Sequence, residues 1–403
     1  MIMKRMFRIA VNVEECCNCG FCQSFVACSA RKVGCIGCGA CQYGCPDGVR
    51  ELKDILEERK EITIRINGDP VAVPERISVL KALELNGFKV SRLPDQGDIF
   101  APCRSGGCGS CAVLINGVLE RSCITPVADG MDIVTEKTEL QKHPPVRIIT
   151  PMRPYPHFIP SLFTHGCNYR CGACHNWEIT FASAGSLIVP KNVHVYLGFG
   201  RVKTNQIGIS GGEPTLNRRW LVDSIKDLRA RNNRVMIQLD TNASLLSPEY
   251  IDELVEVGVT HISPDIKAIR LKTFMDLTGL SDKELAETLL KASWNAVKYI
   301  QEVYHGRVFM VVAIPYRPEV TSKEELFELG KALSDIDPYI PVNVVEYQPA
   351  FRWRDWRGLQ KEDMDEARGV LEEAGIKSVV IQGGAGIPRA LDPLDLVLGT
   401  EEF

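Results

Sequence analysis

From residue 156 onward, short apolar runs alternate with longer stretches whose apolar positions recur every three to four residues. The runs 158–164, 206–211, 235–241, 260–266, 308–314, 342–348 and 377–382 read as strands. The stretches 217–231, 247–257, 282–303, 321–335 and 363–374 read as amphipathic helices between them. Such alternation predicts parallel βα units, because a parallel strand pair needs a crossover and a helix supplies it. Roughly six units suit a partial or full barrel better than a doubly wound sheet. No strand is followed by a GxGxxG pattern, and Gly383-Gly384-Ala385-Gly386 reads as a turn after the last strand.

The pattern upstream is different. Ile62, Ile64 and Ile66 alternate with Thr63 and Arg65, which predicts a half-buried strand. Asn67-Gly68-Asp69-Pro70 is a turn, 71–73 returns, and Ser78 caps a short helix ending near Gly87. A further strand at 112–115 ends on the Asn116-Gly117 turn. Residues 61–135 therefore form a small β-rich domain. Residues 10–50 hold nine cysteines and little apolar material, too little for a core, so metal must hold them. Residues 136–155, rich in proline and charge, read as a linker or strap, and 156–403 as the barrel.

Composition narrows the function. The apolar fraction is 45% and the charged fraction 24%, ordinary for a globular chain, and the net charge is −4. A weakly acidic balance gives no reason to expect nucleic acid as a partner. No apolar run is long enough to span a bilayer, and residues 1–10 lack the pattern of a secretory signal. All sixteen cysteines lie between Cys16 and Cys174, in tight clusters. Tight CxxC spacing points to metal in a reducing compartment rather than to disulfides, so a cytoplasmic protein is expected.

Cys35-x2-Cys38-x2-Cys41-x3-Cys45-Pro46 matches the bacterial ferredoxin run in spacing. Upstream stand Cys16, Cys19 and Cys22, then Cys28 after five residues rather than three, with no proline following it. In two-cluster ferredoxins the fourth cysteine of one run serves the other cluster. That rule assigns Cys16, Cys19, Cys22 and Cys45 to one [4Fe–4S] cluster. Cys28, Cys35, Cys38 and Cys41 go to another, and Cys17 is left over. One cluster beside a damaged site, or four-cysteine zinc, is the alternative. Cys103-x4-Cys108-x2-Cys111, with Cys123 beyond, is plant-type [2Fe–2S] spacing. Gly106, Gly107 and Gly109 suit a loop that must take positive φ and approach sulfur closely. The segment resembles the β-grasp [2Fe–2S] domain of succinate dehydrogenase iron–sulfur subunits.

Cys167-Asn168-Tyr169-Arg170-Cys171-Gly172-Ala173-Cys174, a CxxxCxxC motif, follows the first barrel strand. Three thiolates leave one iron of a cubane without a protein ligand, and an open coordination site usually signals chemistry. Gly211-Gly212-Glu213-Pro214 follows the second strand. Together the two motifs resemble the radical S-adenosylmethionine (SAM) superfamily. Cys174-His175-Asn176-Trp177-Glu178, Asp240-Thr241-Asn242 and Asp265-Ile266-Lys267-Ala268 are similar to its activase and AmmeMemoRadiSam branch.

The resemblance implies an α/β fold. A partial (β/α)6 TIM-like barrel would follow a two-[4Fe–4S] ferredoxin-like module and a β-grasp [2Fe–2S] domain. It implies that SAM chelates the open iron of the Cys167–Cys171–Cys174 cluster. Gly211, Gly212, Glu213 and Pro214 would meet its methionine end, and Thr241, Asn242, Asp265 and Lys267 would line the same site. Asp265 and Lys267 also read as a structural ion pair, and His175 as a hydrogen bonder beside the cluster. Ala173 stands where an aromatic residue is frequent, so Trp177 or Tyr347 would have to meet the adenine. The cofactors implied are SAM, three [4Fe–4S] clusters and one [2Fe–2S], about 14 irons per chain.

The function implied is reductive cleavage of SAM to a 5′-deoxyadenosyl radical. That radical takes hydrogen from a protein or small-molecule substrate, and the fused clusters relay electrons, either inward from an external low-potential donor or outward from a product radical. Activation of a glycyl-radical enzyme is one alternative. A multi-cluster electron carrier without catalysis is another. Cysteines are absent after Cys174 and no DxHxxG pattern is present, so neither C-terminal auxiliary clusters nor cobalamin is expected. Phe351-Arg352-Trp353-Arg354-Asp355-Trp356-Arg357 reads either as substrate contact near the barrel mouth or as a solvated helix start. Arg218-Arg219 and the arginines at 229–234 read as exposed helix faces.

Overall fold

The computed structural model describes residues 2–152, 159–198 and 205–384. The start of the first expected strand at 158, residues 153–155 of the expected linker, Ala385, Gly386 and the rest of the chain lie outside them.

Seven parallel strands stand in chain order among the described residues. They are β1 (Ser161–Thr164), β2 (Gln206–Gly211), β3 (Met236–Thr241), β4 (His261–Pro264), β5 (Val312–Tyr316), β6 (Val342–Glu346) and β7 (Val379–Gln382). The run expected as one strand over 308–314 changes partner at Val311. Phe309–Met310 pairs with β4, β5 pairs with β6, and the parallel bridge Asp265–Ala313 joins the two sheets. Helices Arg218–Arg231, Pro248–Glu256, Lys283–Tyr304, Lys323–Ile336 and Lys361–Glu373 connect the strands. Asn217, Ser247, Asp282 and Ser322 each cap a helix by accepting from a backbone N–H of its first turn. A helix at Leu271–Thr278 was not expected from the pattern.

Alternation within the strands sorts the side chains. Ile207, Ile209, Ile237, Leu239, Ile314, Val342 and Val344 are fully buried in one core with the helices. Their polar neighbours Ser210, Gln238, Asp240, Ser263 and Asn343 turn instead to the barrel interior.

The segment 136–152 is not a simple linker. Ile149–Met152 pairs antiparallel with β1 and closes the open edge of the barrel sheet. Val146, Ile148 and Ile149 are buried, so the apolar residues between the prolines decide its place.

Upstream, strand Ile2–Asn12 pairs antiparallel with the first part of strand Arg50–Ile66, in register from Ile2 against Lys60 to Asn12 against Arg50. Residues 13–49 loop out from the end of this ribbon. The same 17-residue strand runs on into the β-grasp sheet, where Ile62, Ile64 and Ile66 are buried. The segments 10–50 and 61–135 thus share a strand. The hairpin turns behave as expected: Asn67 and Gly68 have φ of 51° and 91°, Asn116 and Gly117 of 50° and 78°. Ser78 Oγ accepts from Lys81 N at 3.1 Å and caps helix Val79–Leu85. Among the described residues no helix is long and apolar enough to cross a membrane.

Candidate active site and its cluster-binding loops

A cavity of about 400 Å³ opens at the C-terminal ends of the barrel strands, the end where barrel enzymes place their chemistry. Cys167, Cys171 and Cys174 form one wall. Gly211, Gly212, Glu213, Thr241, Asn242, Asp265 and Lys267 complete much of the rest. Of the residues expected here, Pro214 is the exception: it opens a short 3-10 turn and lies behind the wall.

The three thiols are half-buried, and their remaining exposure faces the cavity. Burial pushes all three pKa values up, Cys174 to about 12; Cys171 adds to the rise at Cys167 and Cys174, while Lys267 opposes it at Cys171 and Cys174. A cation set among them would offset that penalty and hold them as thiolates, as an iron–sulfur cluster would. Among the described residues no fourth cysteine lines the cavity. Opposite them, burial opposes the charge of Lys267, but Asp265 and Cys171 outweigh it and raise its pKa. Lys267 Nζ donates to Asp265 Oδ2 at 2.5 Å, so the pair is a salt bridge set in the cavity wall. Asp265 Oδ1 is buried without a protein partner. A ligand with an ammonium group fits such an orphan, as SAM would.

Glu213 has its carboxylate turned into the structure. It accepts from Thr215 N at 3.0 Å, Thr215 Oγ1 and Thr241 Oγ1 at 2.7 Å, and Asn242 N at 2.7 Å, which ties the end of β2 to the end of β3. The backbone of the Gly-Gly-Glu turn is left to face the cavity. A Cβ on Gly212 would meet Gly166 O at 2.3 Å, so only glycine lets this turn lie against the cluster loop. Arg147, fully buried, donates to Glu213 O at 2.5 Å, Pro214 O at 2.6 Å and His165 O at 3.0 Å. Sequence reasoning missed it, because nothing in a proline-rich stretch marks an arginine as buried.

The [2Fe–2S]-type loop packs against the same place. Cys103, Cys108, Cys111 and Cys123 are all buried. A hydrogen bond from Cys108 pulls the Cys103 thiol down, and one from Cys123 does the same for Cys111. The four side chains therefore gather as two pairs. Gly106 and Gly109 take positive φ; Gly107 does not, but its Cβ would meet Gly166 N at 2.5 Å. Farther out, Cys22 feels Cys16, Cys19 and Cys45, while Cys38 feels Cys28, Cys35 and Cys41. Cys17 is exposed and bonded to Asp47, which raises its pKa to about 11.

The 351–357 segment is a solvent-facing 3-10 start, with Arg352, Arg354, Asp355 and Arg357 exposed and Trp353 stacked on Trp356, and it also clamps the cysteine-rich module onto the barrel. Arg352 donates to Gln42 O at 2.8 Å and Cys45 O at 3.2 Å, and its own N–H to Gly172 O at 2.9 Å. Phe351 stacks on Trp177 and Phe181, and Trp177 packs on Phe21. Trp177 is thus interdomain core, whereas Tyr347 lines the cavity. His175 Nε2 accepts from Gln348 N at 3.0 Å. Arg218 and Arg219 are exposed, paired with Glu253 and the 140–141 carbonyls. Gln238, Asp240, Ser263, Asn343, Glu346 and Gln382 also line the cavity. The signal for them was polar residues at alternate positions of otherwise apolar strands.

Residues 161–330 match the radical SAM superfamily, and residues 59–138 match the 2Fe-2S iron-sulfur cluster binding domain. Among curated relatives, a protein of Methanocaldococcus jannaschii named as a glycyl-radical enzyme activating enzyme is 23% identical over 55% of this chain and 87% of its own length. The pyruvate formate-lyase-activating enzyme of Staphylococcus epidermidis is 26% identical over 48% and 77%. Among solved structures, SAM-bound SuiB of Streptococcus suis shares 16% identity over 56% of this chain and 46% of its own, with a TM-score of 0.37. This chain therefore matches less than half of SuiB. Residues 161–330 thus form a radical SAM domain, residues 59–138 a [2Fe–2S] domain, and the chain is a radical SAM enzyme.

Proposed function

We propose that the barrel cavity binds SAM on a [4Fe–4S] cluster held by Cys167, Cys171 and Cys174, and hydrogen is taken there from a protein or small-molecule substrate. The observation that carries this is the three-thiol wall facing the Asp265–Lys267 pair and the Gly-Gly-Glu turn across one cavity. When bound, the cluster supplies the electron that splits SAM into methionine and a 5′-deoxyadenosyl radical. The chain's own residues bind, orient and shield. The backbone of Gly211 and Gly212 offers polar groups to the methionine end. Asp265 offers an acceptor with no other partner, and Lys267, held charged, balances it. Tyr347 presents a ring in the cavity wall beside Cys171, a suitable adenine neighbour. The barrel wall keeps water from the reacting carbon. Anaerobic incubation with dithionite and SAM tests the reading. Wild type should release 5′-deoxyadenosine, and Cys167→Ala should release none while keeping the [2Fe–2S] spectrum.

The groupings around Cys22 and around Cys38 support two further [4Fe–4S] clusters, with Cys28 a ligand of the second and Cys17 of neither. Those clusters and the [2Fe–2S] would carry electrons from an external low-potential donor in a reducing, cytoplasmic setting. The module boundaries near 50 and 135 then separate cluster types rather than folding units. A second reading, activation of a partner glycyl-radical enzyme, is favoured by the names of the curated relatives. Mixing with such a partner and SAM would give a glycyl radical doublet in its EPR spectrum.

A further inference from the structure

The two pairs of [2Fe–2S] cysteines face different ways. Cys111 and Cys123 belong to the core of the β-grasp domain, with Ile64, Val113 and Ile133. Cys103 and Cys108 belong instead to a core shared with the barrel, built on Tyr169, Leu216 and Phe274, against which Cys167 and Cys171 pack. The backbones touch directly: a Cβ on Gly166 would meet Cys108 N at 2.7 Å.

Arg170, inside the CxxxCxxC motif, spans this seam. Its Nη1 donates to Cys167 O and Tyr169 O at 2.7 Å each, and its Nη2 donates to Cys103 O. Its guanidinium also lies 3.9 Å from the ring centroid of Tyr43, between Cys41 and Cys45. One side chain therefore touches three cysteine-bearing loops. Arg92 joins it, donating to Asn168 O at 2.7 Å. The Nε atoms of Arg92 and Arg104 are buried without partners, and Asp282 is the carboxylate within electrostatic reach of Arg92. Cations gathered with so little counter-charge suit a seam between anionic clusters, whose negative charge grows on reduction.

We infer that the Cys103–Cys108 edge of the [2Fe–2S] loop is the electron port to the Cys167–Cys171–Cys174 site, and that Arg170 is the positioning residue holding port and site together. The inference rests on the function proposed above. In the transfer one electron leaves the reduced [2Fe–2S] cluster, which returns to its oxidised state, and reduces the [4Fe–4S] cluster by one electron. No covalent bond is made or broken. A one-electron reductant outside the chain, for which dithionite stands in, resupplies the port.

The test uses the full chain, reconstituted anaerobically with iron and sulfide and reduced with dithionite. In wild type the [2Fe–2S] EPR signal should relax fast, because a second paramagnet adjoins it; Cys167→Ala should slow that relaxation. In stopped-flow mixing, Arg170→Met should delay reduction of the SAM-site cluster about tenfold, the size expected when an outer support of a cluster is removed. Arg170→Lys should restore part of the rate, keeping charge but losing the fork that bridges two loops. Unchanged relaxation in Cys167→Ala overturns the port. An unchanged rate in Arg170→Met, with iron content intact, overturns the role of Arg170. If Arg170→Met loses iron, Arg170→Lys decides that role by the same rate: wild-type transfer overturns it, and slowed transfer supports it. Fast relaxation without 5′-deoxyadenosine would instead sink the proposed function and leave the port standing.

Discussion

The Glu213 carboxylate and Arg147 show how single buried groups shape the cavity from behind its wall. Four hydrogen bonds converge on the Glu213 carboxylate, and burial still raises its pKa, so removing it leaves four donors unpaired around a void. Glu213→Ala should cost about 3 kcal/mol or more in a denaturant melt, from lost charged bonds and unsatisfied partners. Arg147→Met strands three carbonyls and should cost a similar ~3 kcal/mol. Gly212→Ala tests the close approach to Gly166: the added methyl has only backbone to displace. Loss of the iron proposed to sit at Cys167, Cys171 and Cys174, with the [2Fe–2S] spectrum kept, is the expected outcome in iron analysis. Gly212 and Glu213 were legible as a motif. Arg147 was not, because its value comes from carbonyls that only the folded chain assembles.

At the scale of elements, the strand–helix alternation marked the seven strands β1 to β7, although it merged Phe309–Met310 with β5, and five of the helices among the described residues, since periodicity of two or near 3.6 is set locally by which face is buried. It failed for the strand Ile149–Met152, whose prolines masked its pairing with β1, and for the ribbon Ile2–Asn12. That ribbon is a charged two-stranded element with little apolar alternation, stabilised by its long register. Asn217 joins elements that the sequence keeps far apart. Its side chain caps helix Arg218–Arg231 and also donates to Cys108 O at 3.1 Å and Val146 O at 3.2 Å. Asn217→Ala should lower stability by about 2 kcal/mol, the cap plus two unpaired carbonyls. It should also alter the visible circular dichroism of the [2Fe–2S] cluster, which a cap lost on a distant helix would not do.

Across the whole molecule, the cysteine-rich segment is held by side chains from near the other end of the described chain. Arg352 reaches the carbonyls of Gln42 and Cys45, while Arg354 pairs with Asp47 at the surface. Exposed ion pairs contribute little, so Arg354→Ala should change stability by less than about 1 kcal/mol. Arg352→Ala leaves two carbonyls beside a cluster loop unpaired. It should speed proteolysis within 13–49, read by timed digestion, without altering the [2Fe–2S] spectrum. Fully loaded chain should hold about 14 irons, for three cubanes and one [2Fe–2S]. The sequence by itself determined the chemistry: thiol spacing is a local property, and so are the glycine turn and the strand periodicity. Only the tertiary structure decided how the cluster loops meet. Contacts such as Arg170 with Cys103, Arg352 with Cys45 and Asn217 with Cys108 join residues 67 to 307 positions apart. Such contacts form only where packed surfaces bring unrelated stretches of chain together, and no local pattern encodes them.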